Sequence, residues 1–214
     1  MWPVNRNAIM LIKNVFMLAV RVRNALLTRW WNISGRFWFQ INDIDMDGCP
    51  TFYGYPIVTL KPRSRISIGK GVILCSDSRF TALGVSKPVI IRTLRPNASI
   101  IIGPNSGLSG VVICAAESVQ IGANCLLGAN VQIFDTDFHK IEPENRRYDS
   151  SPEKIRCAPV IIEDNVFVGT GSIIMKGVRI GRDAVIGAGA IVTKDIPAGA
   201  IAAGNPAKVI GKLQ

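Results

Sequence analysis

The sequence predicts an all-β fold, a parallel β-helix wound from hexapeptide repeats, with an α-helix ahead of it and one loop extruded from it. Three observations predict this. Aliphatic positions recur every six residues at Ile162, Val168, Ile174, Ile180, Ile186 and Val192, and glycine follows three of them, at Gly169, Gly181 and Gly187. An earlier block runs Ile102, Leu108, Cys114, slips by one residue, and resumes at Ile121, Leu127 and Ile133. Between the blocks, residues 134–158 keep no such period and carry His139, the only histidine in the chain. A helix would space its apolar residues by three and four, and a sandwich would not hold one register over so many repeats.

In chain order, residues 1–42 form the first unit, with a helix predicted over 5–31. Arg6, Lys13, Asn14, Arg21, Asn24 and Thr28 share one side of a helical wheel, and most of the remaining surface is apolar, from Ile9 to Leu27. Arg6, Lys13, Arg21, Arg23, Arg29 and Arg36 meet no acidic residue in this unit. The apolar stretch Ala8 to Val20 is broken by Lys13 and Asn14 and is too short to span a bilayer. No small-residue cleavage site follows it, which argues against a signal peptide. Two readings stay open. The helix lies peripherally in the inner membrane surface, with Trp30, Trp31 and Trp38 as anchors, or it packs on its own trimer.

Residues 43–214 form the second unit, the coil. One aliphatic side chain per hexad points inward and stacks on its equivalent in the next turn of the coil. Glycine, or asparagine at Asn105, Asn124, Asn130 and Asn165, fits turn positions where φ is positive. The early coils, Ile57 to Ile102, are irregular, with long spacings around Asp77 to Pro88. Lys and Arg number 25 against 15 Asp and Glu, a balance that favours anionic partners: coenzyme phosphates, acidic glycans or a membrane surface. Aromatic and basic residues do not interleave along a repeat face, so nucleic acid is not expected. Cys49, Cys75, Cys114, Cys125 and Cys157 form neither a disulfide framework nor a metal-binding motif, which suits a reducing cytoplasm and predicts no metal.

The loop offers the chemistry. His139 ends the run Asp-Thr-Asp-Phe-His, and imidazole titrates close enough to neutrality to take a hydroxyl proton. Asp135 or Asp137 could accept a hydrogen bond from one ring nitrogen and hold the other toward an acceptor; a backbone carbonyl could do the same.

The closing stretch VIGAGAIVTKDIPAGAIAAGNPAKVIGKL, Val185 to Leu213, together with the repeats and the histidine loop, resembles the hexapeptide-repeat acyltransferases of left-handed β-helix fold. It is similar to the sugar O-acetyltransferases of the maltose, galactoside and nodulation-factor type, and to serine acetyltransferase. The resemblance covers residues 57 to 213 and is strongest after Val119. It implies acetyl-CoA as acyl donor, a homotrimer with the coenzyme between neighbouring β-helices, and a sugar hydroxyl as acceptor. The basic, apolar N-terminus suggests a cell-envelope or exopolysaccharide precursor as that acceptor. By resemblance His139 is the general base of a direct transfer, with Cys125 as nucleophile the weaker alternative and backbone N–H groups near the loop facing the oxyanion. Gly169, Thr170, Gly187 and Ala188 would line the pantetheine arm, and Thr193, Lys194 and Lys208 would lie near the nucleotide phosphates. Two departures bear on the acceptor and the coenzyme. Gly107 to Ala116 holds Ser109 and no acidic residue where simple sugar enzymes have Asn and Asp, and Phe167 stands where relatives have Trp. Serine or xenobiotic O-acetylation and a non-catalytic trimeric scaffold are the competing readings; a scaffold has no reason to bind acetyl-CoA. Zinc hydration chemistry needs several histidines, and sugar-nucleotide transfer a preceding nucleotide-binding domain, so neither is expected.

Overall fold

Short parallel strands, each closed by a turn, wind the chain into a left-handed β-helix with three faces. The computed structural model describes residues 6–213, with side chains from Ile9 onward; residues 1–5, residue 214 and the Arg6 side chain of the expected units lie outside the described residues. The first face stacks Asp45–Met46, Arg65–Ile68, Ser99–Ile102, Ser118–Ile121, Val160–Ile162 and Arg179–Ile180. The second runs from Thr51–Tyr53 through Leu126–Leu127, Phe167–Val168 and Val185–Ile186 to Ala200–Ala203, where Lys208–Lys212 adds antiparallel. The third runs from Ile57–Thr59 through Val112–Ala115, Gln132–Phe134 and Ile173–Ile174 to Ile191–Val192.

The six-residue period has a direct cause: each hexad is one strand and one turn, so equivalent aliphatic side chains fall in register. Ile102, Ile121, Ile162 and Ile180 stack on the first face. Leu108, Leu127, Val168 and Ile186 stack on the second. None of these is more than 3% exposed, and burying each contributes about 1.5–3 kcal/mol. The third-face column corrects one expectation. Ile113, not Cys114, pairs with Ile133, because the chain turns at Gly110 (φ 56°) and enters the next strand with Ile113 inward.

Asn105, Asn124 and Asn165 hold turns at φ 58°, 57° and 58°, as their spacing predicts. Gly169 has a different reason to be glycine. A Cβ there would lie 2.5 Å from the backbone nitrogen of Ala188, so consecutive turns stack too closely for any side chain.

The helix α1 spans Arg6–Ile41, ten residues beyond its predicted end. Tertiary packing carries it on. Phe39 is fully buried edge-on against Phe52 (5.0 Å between ring centroids), and Gly35 lets the helix approach that same ring. The Asn32 amide pairs with the Phe52 backbone, its Oδ1 accepting from Phe52 N at 3.0 Å and its Nδ2 donating to Phe52 O at 3.2 Å. The C-terminal half of α1 thus packs on its own coil at the first strand of the second face. Trp31 is only 8% exposed, edge-on to Phe80, and Trp38 packs partly into the core; of the three expected tryptophan anchors, only Trp30 is exposed. The N-terminal half touches nothing comparable: every side chain from Ile9 to Ala19 is exposed. No helix among the described residues is long and apolar enough to cross a membrane.

Candidate active site on the extruded loop

The chain leaves the coil after Gln132–Phe134, at the corner between third and first faces, and returns at Val160–Ile162. Asp135 secures the root of this excursion. Its fully buried carboxylate accepts the backbone N–H groups of Ala116 and Glu117, each at 2.7 Å, and its carbonyl accepts from Ala158 N at 2.9 Å. Burial pushes this carboxyl above its ordinary range, opposed by those same N–H donors. Asp135 is therefore not brought to the imidazole; its two oxygens fasten the loop to the previous turn.

Asp137 lies at the start of the exposed part. Its carbonyl accepts the His139 N–H at 2.7 Å, with Phe138 at φ 61° making the tight turn between them. Its Oδ1 is 2.8 Å from Lys176 Nζ, which rises from the next turn of the same corner, while its Oδ2 is buried without a hydrogen-bond partner. The turn places His139 in solvent, facing a cleft of ≈ 800 Å³ shared with Pro143, Asn145, Arg146, Arg147 and Tyr148. The loop is braced from within. Asp149 receives both Lys140 Nζ (3.0 Å) and Lys154 Nζ (2.6 Å), and Arg95 of the coil donates to Pro152 O (2.7 Å) and Ile155 O (3.1 Å). The Lys154 bond, followed by those from Ser151 and Lys140, holds the Asp149 carboxyl well below the usual carboxylate range.

Most of the residues expected along a coenzyme lie away from the loop's corner. Gly169–Thr170 and Gly187–Ala188 stack in consecutive turns between second and third faces, with Thr170 Oγ1 donating to Ala129 O at 2.6 Å. Space is open beside this column: a Cβ at Gly171 or Gly189 would meet nothing within 4 Å. Thr193 and Lys194 are exposed on the loop's own corner, two turns beyond it, and Lys208 is exposed where the final strand begins. Neither lysine forms an ion pair among the described residues. Within one chain, then, His139 and the glycine column sit on different corners of the coil.

Sequence reasoning missed Lys176 and Arg95, whose partners come from the loop, and the role of the excursion around Asp77 to Pro88. That excursion places Phe80 between Tyr53 and Trp31, and its Ser86 donates through N and Oγ to Asn130 Oδ1, both at 2.8 Å. Cys125 is fully buried, and burial pushes its thiol up, away from the thiolate a nucleophile requires. Phe167 projects from the second face, nearly half exposed.

The stacked hexads have counterparts among known proteins. The family model described as hexapeptide repeat of succinyl-transferase matches residues 118–133 and 159–194. The chain resembles the hexapeptide-repeat acyltransferases, sugar O-acetyltransferases among them. It is 27% identical to the polySia-specific acetyltransferase NeuO, covering 78% of this chain and 70% of that one at a TM-score of 0.58. A hexapeptide-repeat acetyltransferase from Vibrio cholerae O1 biovar eltor, solved with acetyl-coenzyme A, shares the fold (21% identity, 92% and 88% coverage, TM-score 0.51). A curated relative, the 2,3,4,5-tetrahydropyridine-2,6-dicarboxylate N-acetyltransferase of Staphylococcus aureus, is 60% identical over 54 residues, 25% of this chain and 23% of that protein. The chain thus spans about a quarter of the length of the curated relatives it matches.

Proposed function

We propose that this protein is an acetyl-CoA-dependent O-acetyltransferase acting on a sugar hydroxyl of an envelope or exopolysaccharide precursor, with His139 as general base. The observation that carries the reading is the placement of His139: exposed at a cleft, on a loop whose root is fixed by Asp135 and whose body is braced by Asp149. Support also comes from the NeuO likeness and from the acetyl-coenzyme A complex of the Vibrio neighbour. The donor supplies an activated acetyl thioester. His139 takes the proton from the acceptor hydroxyl as its oxygen attacks the thioester carbonyl, then returns it to the departing coenzyme sulfur. Asp137 fixes the main chain at His139, its carbonyl accepting the His139 backbone N–H, and so sets where the side chain leaves the loop. Buried Cys125 argues for direct transfer without an acyl-enzyme.

The coenzyme column Gly169, Thr170, Gly187 and Ala188 fits a slender pantetheine arm because the stacked turns leave backbone and small side chains at the surface beside open space. Thr193, Lys194 and Lys208 supply a hydroxyl and two point charges for the nucleotide end. Because His139 and this column lie on different corners, a complete site takes both from adjacent copies, and we propose the homotrimer on that ground. The test is calorimetric binding of acetyl-CoA, followed by thiol release against sugars, lipid-linked glycans, serine, chloramphenicol and an amine acceptor, the last because of the Staphylococcus relative. Binding with thiol release on one sugar class is the expected outcome. No binding and no release would leave the scaffold reading in its place.

A further inference from the structure

The structure leaves one large surface unexplained: the side of α1 that faces away from the coil. An apolar stripe runs along it at three- and four-residue steps from Leu11 through Val15, Leu18, Val22, Leu26, Trp30 and Ile33 to Phe37, every one of them more than half exposed. The stripe is continuous across both halves of the helix, so packing of the C-terminal half on the coil does not cover it. At 1.5 Å per residue the free half alone, Ile9 to Leu26, extends about 27 Å. Exposed Arg21, Arg23 and Arg29 border or interrupt the stripe, and the whole of Arg6–Ile41 contains no acidic residue.

We infer that α1 docks this protein on an anionic lipid surface, lying in the plane of the interface with the stripe inward and the arginines at the headgroups. Charge decides the occupant. Pairing the same stripe with a second copy would bring Arg21, Arg23 and Arg29 toward their own equivalents with no carboxylate on either helix to answer them. An anionic membrane answers all of them, and it takes a one-sided apolar helix that does not cross it. Trp30 sits on the stripe, at the depth an indole prefers. The coil, held by Phe39 and Asn32 at the other side of the helix, is thereby tethered beside the surface. This holds whether or not the protein transfers acetyl groups.

The full-length protein is sedimented with phosphatidylcholine vesicles, with and without phosphatidylglycerol, alongside two variants. One carries Val15→Asp and Val22→Asp; the other carries Arg21→Gln, Arg23→Gln and Arg29→Gln. All five side chains are exposed, so the thermal melt checks that folding is unchanged. Expected is binding that requires phosphatidylglycerol, weakens with salt, and falls about tenfold or more in the apolar variant. Failure of the wild type to bind anionic vesicles overturns the inference, as does binding that both variants retain. Dissociation of the apolar variant into smaller species, with vesicle binding kept, would make the stripe a seam between copies and overturn it too.

Discussion

At the residue scale, two aspartates that look interchangeable in Asp135-Thr-Asp137 do different work. Asp135 is the last residue still governed by the coil: its oxygens reach back to Ala116 and Glu117 of the preceding turn. Asp137 is the first governed by the loop, and its partner Lys176 comes from the turn that follows. Sequence could single out His139 because it is the one imidazole in the chain. It could not separate the two carboxylates, because which of them faces backbone depends on where stacking stops. In the proposed mechanism Lys176 would act through Asp137 as a positioning residue. Lys176→Met should free the turn at Phe138, lowering kcat by about tenfold while leaving the KM for acetyl-CoA nearly unchanged. Steady-state kinetics of the variant check this; a rise in KM at constant kcat would place Lys176 in coenzyme binding instead.

At the element scale, the extruded loop and α1 show where periodicity stops being informative. The loop's limits were readable as the segment with no six-residue repeat, yet its internal bracing was not, since Lys140, Asp149 and Lys154 follow no pattern that a period reveals. The predicted helix stopped short for a related reason: the stretch after Trp31 loses its clean polar stripe because Trp31, Gly35 and Phe39 face the coil. The bracing carries a pH signature. The Asp149 carboxyl is depressed in the folded chain, so its contribution is fully present above the ordinary carboxylate range. That contribution is lost as pH falls below that range toward the depressed value. Asp149→Asn should therefore destabilise the loop at neutral pH and flatten the acid limb, read by limited proteolysis of residues 140–156 across a pH series. An unchanged acid limb would show that another carboxylate governs it.

At the scale of the whole molecule, the hexad writes the fold almost completely, because one strand plus one turn is the unit that stacks. The single misread rung, Cys114 for Ile113, came from a turn shortened at Gly110. The site is less legible for a geometric reason. A coil with three corners distributes neighbours in sequence to separate edges, and in the proposed trimer a second copy would reunite the loop corner with the glycine column. The most direct measurement is turnover in assemblies mixed from two variants, His139→Ala and Ala188→Trp, co-expressed and compared with each variant alone. Ala188 is exposed, so the indole would block the pantetheine path without touching the core. The expected result is loss of thiol release in each variant alone and measurable recovery in the mixture, where one interface keeps both an intact His139 and an intact column. Near-normal turnover by His139→Ala alone, in a protein that stays assembled, would contradict the assignment of the base. Inactive mixtures would contradict a site shared between copies.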